Sequence, residues 1–414
     1  MVNFARNLDS ESPLDEGEED RRLNEMYQRN FKSIARNELL QPEAHRSLLF
    51  LARTFGLYVG FLALIAVLPL NLWTLPLHLV LTYLVGLSLV SFQSISHDCG
   101  HSAFFKSKMA NDIAGTLTGL PLLVSYIAWS DDHKAHHGRT NHIEDDPNKY
   151  HMTDDQIKRI QMRFNEPLYF LYFWFYTFMA SLQLGLIAVH FLGLPLRKYP
   201  TLYWSTERPW RSLMNLVFLA MFVGAVFTLT SGPLLIFGFV VPYFLYHMLF
   251  IMLGYFQHNY GDSHYYDSEH YSFMRGVIQS RNLDFGKVNN FFFAGFADTH
   301  LEHHLFPTVP LYKLKLVSGQ LDEEMRSALA SYWPARPVRF YREFYGDYNK
   351  NYLLRAQGVS YRKALRLESK KSFFFFFMTG LLFPLVWWST VAKEKKAAAQ
   401  QAAQNGSQQN LARE

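Results

Sequence analysis

The chain has 414 residues, 49% hydrophobic and 17% aromatic, with a formal charge of +5, a length that admits one large domain or two ordinary ones. The charge is modest and its basic residues flank apolar blocks (Arg197, Lys198, Arg208, Arg211) without forming a dense run; this argues against nucleic acid as a partner and for a membrane surface. A single cysteine, Cys99, rules out an intrachain disulfide and reads as a small buried residue on a helix.

In chain order, residues 1–47 open with an acidic stretch, Asp9 to Asp20. It lacks the basic start and apolar core of a secretory signal and the acid-poor character of a transit peptide. It is expected to be a solvated, poorly ordered arm leading into the first apolar block. No Asp, Glu, Lys or Arg occurs from Phe55 to Ser96, or from Ser212 to Gly261. Each block is long enough for two membrane helices of about 20 residues. The first, about Leu48 to Ile95, reads as a hairpin turning at Pro69-Leu70-Asn71. The second, about Leu213 to Phe256, reads as another, turning at Ser231-Gly232-Pro233. Neither turn is charged, so the Lys/Arg-rich segments between the hairpins are expected on the cytosolic side.

Three further apolar stretches are ambiguous: Ile113–Ser130, Leu168–Leu196 and Ser372–Ala392. The first two are assigned as interfacial or re-entrant, because a single crossing by either would put the histidine clusters on opposite sides of the bilayer. The third is assigned to the interface or the membrane. The expected architecture is an all-α integral membrane protein with about four spans in two hairpins, a cytosolic histidine-rich cap and interfacial helices. Its divisions are a lead-in (1–47), a membrane and catalytic domain (48–316), a cytosolic region (317–371), an apolar segment (372–392) and a low-complexity tail (393–414).

Eight of the seventeen histidines form three clusters at the edges of uncharged stretches: His97 and His101; His133, His136 and His137; His300, His303 and His304. Residues at i, i+3 and i+4 share one helix face, so each cluster presents its imidazoles on one stripe. Imidazole suits iron, zinc and copper. A zinc site takes three or four protein ligands, too few to use eight clustered imidazoles, whereas two metals with open positions would. A peptidase motif would need Glu where Asp98 stands. Haem ligation within a bundle leaves only His78 and His247, which read as packed polar residues. Among His142, His151, His258, His264 and His270, the ninth ligand is expected to be His258, at the end of the last span. Of the neighbouring carboxylates, Asp98, Asp298 and Glu302 are the candidates to accept the other ring N–H of a metal-bound histidine.

The three boxes, their order and their spacing resemble the membrane fatty-acid desaturase family, over roughly Leu48 to Leu316. His97-Asp-Cys-Gly-His-Ser-Ala-Phe, Asn111-Asp-Ile-Ala-Gly-Thr, Leu120-Pro-Leu, Trp129 with Thr140-Asn141, Gln257-His258, Arg275-Gly276, Asp284-Phe-Gly and Asp298-Thr-His-Leu-Glu-His-His-Leu-Phe-Pro are similar to its acyl-lipid delta-12/omega-6 branch. The resemblance implies two non-haem iron ions held by the eight box histidines and His258, O2 as co-substrate, and a double bond introduced into a long acyl chain. It also implies an electron donor, cytochrome b5 or ferredoxin. With no His-Pro-Gly-Gly haem motif in the chain, that donor is expected to be a separate protein. The expected setting is the endoplasmic reticulum or a bacterial inner membrane, with the site on the cytosolic face. Related hydroxylases and ketolases share the boxes, so oxygen insertion into a lipid or isoprenoid is the nearest alternative. A non-redox membrane metal-binding or transport protein is the alternative of another class, disfavoured because transporters place such ligands within their spans.

Overall fold

The computed structural model describes residues 16–142, 145–147, 205, 207–230, 232–258, 266–332 and 338–339. The expectations for Leu168–Leu196, Ser372–Ala392, the tail, His151 and His264 lie outside them. The described residues are mostly helical, and their one sheet pairs two-residue strands, β1 (Leu283–Asp284) and β2 (Val338–Arg339), in parallel.

Among the described residues three helices are long and apolar enough to cross a membrane: α2 (Ala44–Val67), α3 (Leu75–Gly100) and α6 (Pro209–Leu229). The α2–α3 turn falls where the sequence placed it. Asn71 stops the chain there, its side-chain oxygen accepting from the Trp73 and Thr74 backbone N–H at 3.0 and 3.1 Å; an Asn side chain mimics a backbone turn in this way. After α6, a short helical turn (Gly232–Leu234) and a π-helical segment (Leu235–Val240) lead into α7 (Val241–His258).

Helix α3 is the axis of the bundle. Every residue from Val85 to Gly100 is buried, whereas α2 and α6 turn Leu49, Val59, Leu64, Met214, Val217 and Met221 outward. Its polar residues find partners on other elements, as buried hydroxyls must. Thr82 donates to the Phe237 carbonyl at 2.9 Å, and Tyr246 donates to Gln93 at 2.8 Å. Ser91 and Ser94 donate to the carbonyls of Phe292 and Phe293, at the end of α9 (Lys287–Phe293). At Gly86 a Cβ would sit 3.2 Å from that of Leu245, so the missing side chain lets α7 approach closely.

The Ile113–Ser130 stretch is divided between α4 (Lys108–Gly119) and α5 (Tyr126–Gly138). Their 12 and 13 residues reach only about 18–20 Å each at 1.5 Å per residue, short of a bilayer core. Leu123, at φ 53°, marks the break. Helix α4 exposes Met109, Ile113 and Leu117 along one i, i+4, i+8 stripe.

The N-terminal expectation needs correcting. Helix α1 (Glu16–Arg36) begins inside the acidic stretch and is docked. Leu23, Met26 and Ile34 recur at helical spacing and are buried, with Tyr27 stacked on Phe306 at 5.7 Å. Arg22 and Arg29 pair with Glu324 of α12 (Glu323–Tyr332). Glu18 and Glu25 are exposed while Asp20 accepts from Ser272, and amphipathicity decides the local structure here rather than charge.

The segment linking the second and third clusters is closed by one glycine. In α8 (Phe273–Val277) a Cβ on Gly276 would lie 2.2 Å from the Thr140 carbonyl oxygen, a backbone atom. Gly276→Ala is therefore expected to destabilise the protein by about 1–3 kcal/mol, read as a lowered melting temperature. Gly319→Ala on α11 (Leu314–Gln320), where nothing lies within 4 Å, is expected to be neutral or mildly stabilising.

Candidate metal centre

The second and third clusters lie on helices, as their spacing requires. His133, His136 and His137 ride on α5, and His300, His303 and His304 on α10 (His300–Leu305). His97 sits in the last turn of α3 and His101 caps that helix. His258 ends α7. The structure brings all nine of these side chains together.

They fall into two groups. Ring nitrogens of His97, His101, His133, His137 and His303 all lie within 4.8 Å of one another, and so do those of His136, His258 and His304. His300 joins the second group, its Nε2 3.0 Å from His258 Nε2. The groups abut, since His137 stacks on His304 with ring centroids 4.1 Å apart. Residues far apart in the chain thus share one small volume, and no cluster faces away from the others.

The donor set fits two metal ions. His137 Nε2 lies 3.0 Å from His133 Nε2 and 3.1 Å from His303 Nε2. His258 Nε2 stands in the same way between His136 and His300, at 3.2 and 3.0 Å. A neutral imidazole nitrogen is either a donor or an acceptor, so a nitrogen facing two others in line satisfies only one of them. Nε2 of His97, His101 and His304 is buried with no partner at all. Cations placed among these lone pairs resolve both problems. Burial favours the neutral, ligating form. It pushes His101 down to about 3 and holds His133, His137, His300, His303 and His304 well below the ordinary range, with neighbouring positive charge adding to the effect.

Several contacts aim the rings. Trp129 stacks on His133, centroids 4.6 Å apart and planes at 13°. Thr140 Oγ1 lies 3.3 Å from His304 Nδ1. Asn141, turned left-handed at φ 58°, a conformation Asn tolerates, gives its amide to the His258 carbonyl at 3.2 Å.

The carboxylate that reaches an imidazole is one the sequence reading passed over. Asp146 Oδ1 is 2.8 Å from His136 Nδ1, and its Oδ2 accepts from the Asn141 backbone N–H at 2.8 Å. This contact fixes the tautomer in which Nε2 carries the lone pair. The three candidates for that role are otherwise engaged. Asp98 accepts from the Leu311 backbone N–H at 2.7 Å, and its other oxygen stays 3.8 Å from His97 Nδ1. Asp298 pairs with Lys315 at 2.9 Å. Glu302 accepts from Asn282 and Ser318.

Among the described residues, the other candidate histidines and the cysteine lie elsewhere. His142 accepts from the Asp145 backbone N–H, and His270 pairs with Asp267. His78 contacts the Thr74 carbonyl, His247 packs against Tyr243 and Tyr246, and Cys99 lies in the apolar core.

Comparison with known proteins agrees with this geometry. The profile described as fatty acid desaturase matches residues 74–336. The chain is 27% identical over 290 residues to a sn-1 acyl-lipid omega-3 desaturase (ferredoxin) of Nostoc sp. (strain 36), covering 69% of this chain and 77% of that protein. It is 26% identical over 291 residues to a delta-12 fatty-acid desaturase of Vernicia fordii, covering 67% and 73%. It is 29% identical over 276 residues to an oleoyl-12-hydroxylase of Ricinus communis, covering 63% and 68%.

Two outcomes are expected. Asp146→Asn should weaken iron retention about 10–100-fold, measured as iron per chain after dialysis against a graded chelator; unchanged retention would remove Asp146 from this role. The second concerns the metal-free protein. His101 titrates near 3 when folded and near 6.5 when unfolded, and five more histidines shift the same way. Below 6.5 the unfolded chain therefore binds more protons, and stability falls as the pH drops through this window. Asp132, pushed up to about 7 by burial, works in the opposite sense but is one group against six. Melting temperatures of chelator-stripped protein should fall steeply from pH 7 to pH 5, and a flat profile would contradict the buried neutral imidazoles.

Proposed function

The chain belongs to the fatty acid desaturase family of membrane oxidoreductases, and from that premise we propose that it introduces a double bond into a long acyl chain of a membrane lipid, with delta-12/omega-6 regiochemistry on a mono-unsaturated substrate. The observation that carries the reading is the convergence of nine imidazoles, eight of them buried and His101 half-buried, in two adjacent groups. The nine are assigned as iron ligands: His97, His101, His133, His137 and His303 for one ion, and His136, His258, His300 and His304 for the other. When bound, the iron pair supplies O2-dependent redox chemistry strong enough to remove hydrogen from an unactivated C–H bond.

What the chain's own residues do follows from their positions. Burial holds His101, His133, His137, His300, His303 and His304 in the neutral form and so keeps them available as donors. Asp146, Thr140 and Trp129 hold three of the rings in orientation. The apolar side chains of α3 and the cap around the site, Ile95, Phe296, Leu301 and Leu305 among them, keep water scarce, which protects reactive chemistry from side reactions. The site lies at the end of α3, so an acyl chain reaching it from the bilayer stays in apolar surroundings, at about 0.8 kcal/mol per buried CH₂.

The membrane arrangement belongs to the same proposal. The apolar run from Gly232 toward His258 completes a fourth span, pairing with α6 as α2 pairs with α3. Helix α4 lies in the interface on its Met109–Ile113–Leu117 stripe. The imidazoles then sit on the cytosolic side, within reach of a separate donor, ferredoxin or cytochrome b5. Two relatives are named for ferredoxin.

A second reading, oxygen insertion into the acyl chain, is favoured by the likeness to the Ricinus communis hydroxylase. Expression in a host rich in oleate, followed by mass spectrometry with double-bond localisation, separates the two. A new diene is expected; a hydroxylated chain would move the assignment to the second reading, and no product with iron loaded and donor supplied would sink both. His136→Ala should insert into the membrane normally and lose at least about 100-fold in product; near-normal turnover would remove its ligand role.

A further inference from the structure

An arginine in a membrane-spanning helix is unfavourable unless its charge is matched, and it marks a functional site by default. Arg53 lies in α2, nine residues beyond Ala44, in a helix apolar enough to span. Its guanidinium carbon is 4.2 Å from the Phe50 ring centroid and 4.5 Å from that of Phe291. Its Nε is buried without a hydrogen-bond partner. Among the described residues no carboxylate pairs with it, whereas Arg46, two turns earlier, pairs with Glu43 at 2.8 Å. Two aromatic faces orient this cation but leave its N–H groups without an acceptor.

Depth identifies the missing partner. Ser47 Oγ donates to the Phe104 carbonyl, and Phe55 packs on Phe92 at 4.6 Å. In this antiparallel hairpin Arg53 therefore lies level with the imidazole end of α3, near His97, where the apolar bundle gives way to the cap. Leu49, Val288 and Phe291 around it are 68%, 61% and 49% exposed, and Arg53 itself stays partly exposed. An apolar surface with one oriented, unmatched guanidinium at the level of the bilayer boundary has the chemistry of a phospholipid phosphate site. The planar fork suits two phosphate oxygens at once, and the flanking phenylalanines suit the glycerol and the first methylenes.

We propose that Arg53, held between Phe50 and Phe291, binds the phosphate of a bilayer phospholipid where α2 and α9 meet at these side chains. This site is independent of the reaction proposed above and of the metal centre.

The test is lipid retention by the full-length protein, extracted in mild detergent and analysed by native mass spectrometry after exchange into defined lipid. The wild type should retain phosphatidylglycerol at least tenfold better than a phosphate-free galactolipid. Arg53→Gln should lose that preference, and Arg53→Lys, which keeps the charge without the fork, should lose part of it. Millimolar inorganic phosphate should not displace the lipid. Equal retention of the galactolipid by the wild type, a preference unchanged in a folded Arg53→Gln protein, or displacement of the lipid by inorganic phosphate would overturn the proposal. The wild-type comparison decides the matter even if the variants fail to fold.

Discussion

His137 Nε2 and His258 Nε2 each face two other ring nitrogens at 3.0–3.2 Å in a buried site, and neutral rings satisfy only one contact of each pair. Burial and the neighbouring imidazoles oppose protonation of His101, His133, His137, His300, His303 and His304. Metal ions among the rings would relieve the conflict, and their binding energy would then become part of the folding energy. The metal-free chain carries nine desolvated rings whose lone pairs oppose one another. Much of the surrounding architecture serves to hold those rings in place despite that cost.

The scaffold meets this demand with one rigid axis. Helix α3 begins among apolar residues and ends at His97 and His101, so its packing along the bundle also fixes the depth of two of the converging imidazoles. Ser91 and Ser94 tie α9 to it, and Asp98 caps the Leu311 backbone beyond α10. On the other side the Arg208 guanidinium grips Asp131 of α5, linking the start of α6 to the helix that carries three histidines. Polar residues that resemble metal-site accessories in the sequence are, in several cases, joints between elements. A site assembled from four separated stretches needs such joints, because each helix end must be placed to within a fraction of an ångström.

The histidines were legible because their spacing matches a helical turn and because they stand beside uncharged stretches; His258 was legible as the residue that ends an uncharged apolar stretch, and it is the last residue of α7. The carboxylates were not, for a geometric reason. Asp98 and Glu302 are sequence neighbours of histidines, but residues one apart on a helix do not share a face, so adjacency points these side chains away from the rings beside them. Asp146 lies ten residues past His136 in an irregular segment with no period to betray it. It returns to the ring only because Asn141 takes a left-handed turn after α5. The docking of α1 was hidden in another way. Its acidic composition suggested a solvated arm, while Leu23, Met26 and Ile34 already carried the spacing of a buried stripe. The turn between α2 and α3, by contrast, was legible from the uncharged break at Pro69-Leu70-Asn71.

The two histidine groups are chemically unequal. The first has five imidazoles and, among the described residues, no carboxylate within hydrogen-bonding distance of their rings. The second has four, and one of them, His136, is backed by the Asp146 carboxylate at 2.8 Å. A carboxylate accepting the ring N–H pushes electron density toward the far nitrogen and makes it the stronger donor. If metal ions occupy the two groups, fewer ligands with one strengthened donor, set against more ligands without such support, would make the two positions unequal. A site that must accept an external molecule would gain from this difference, because the less crowded group would leave it room while the fuller one would hold its geometry.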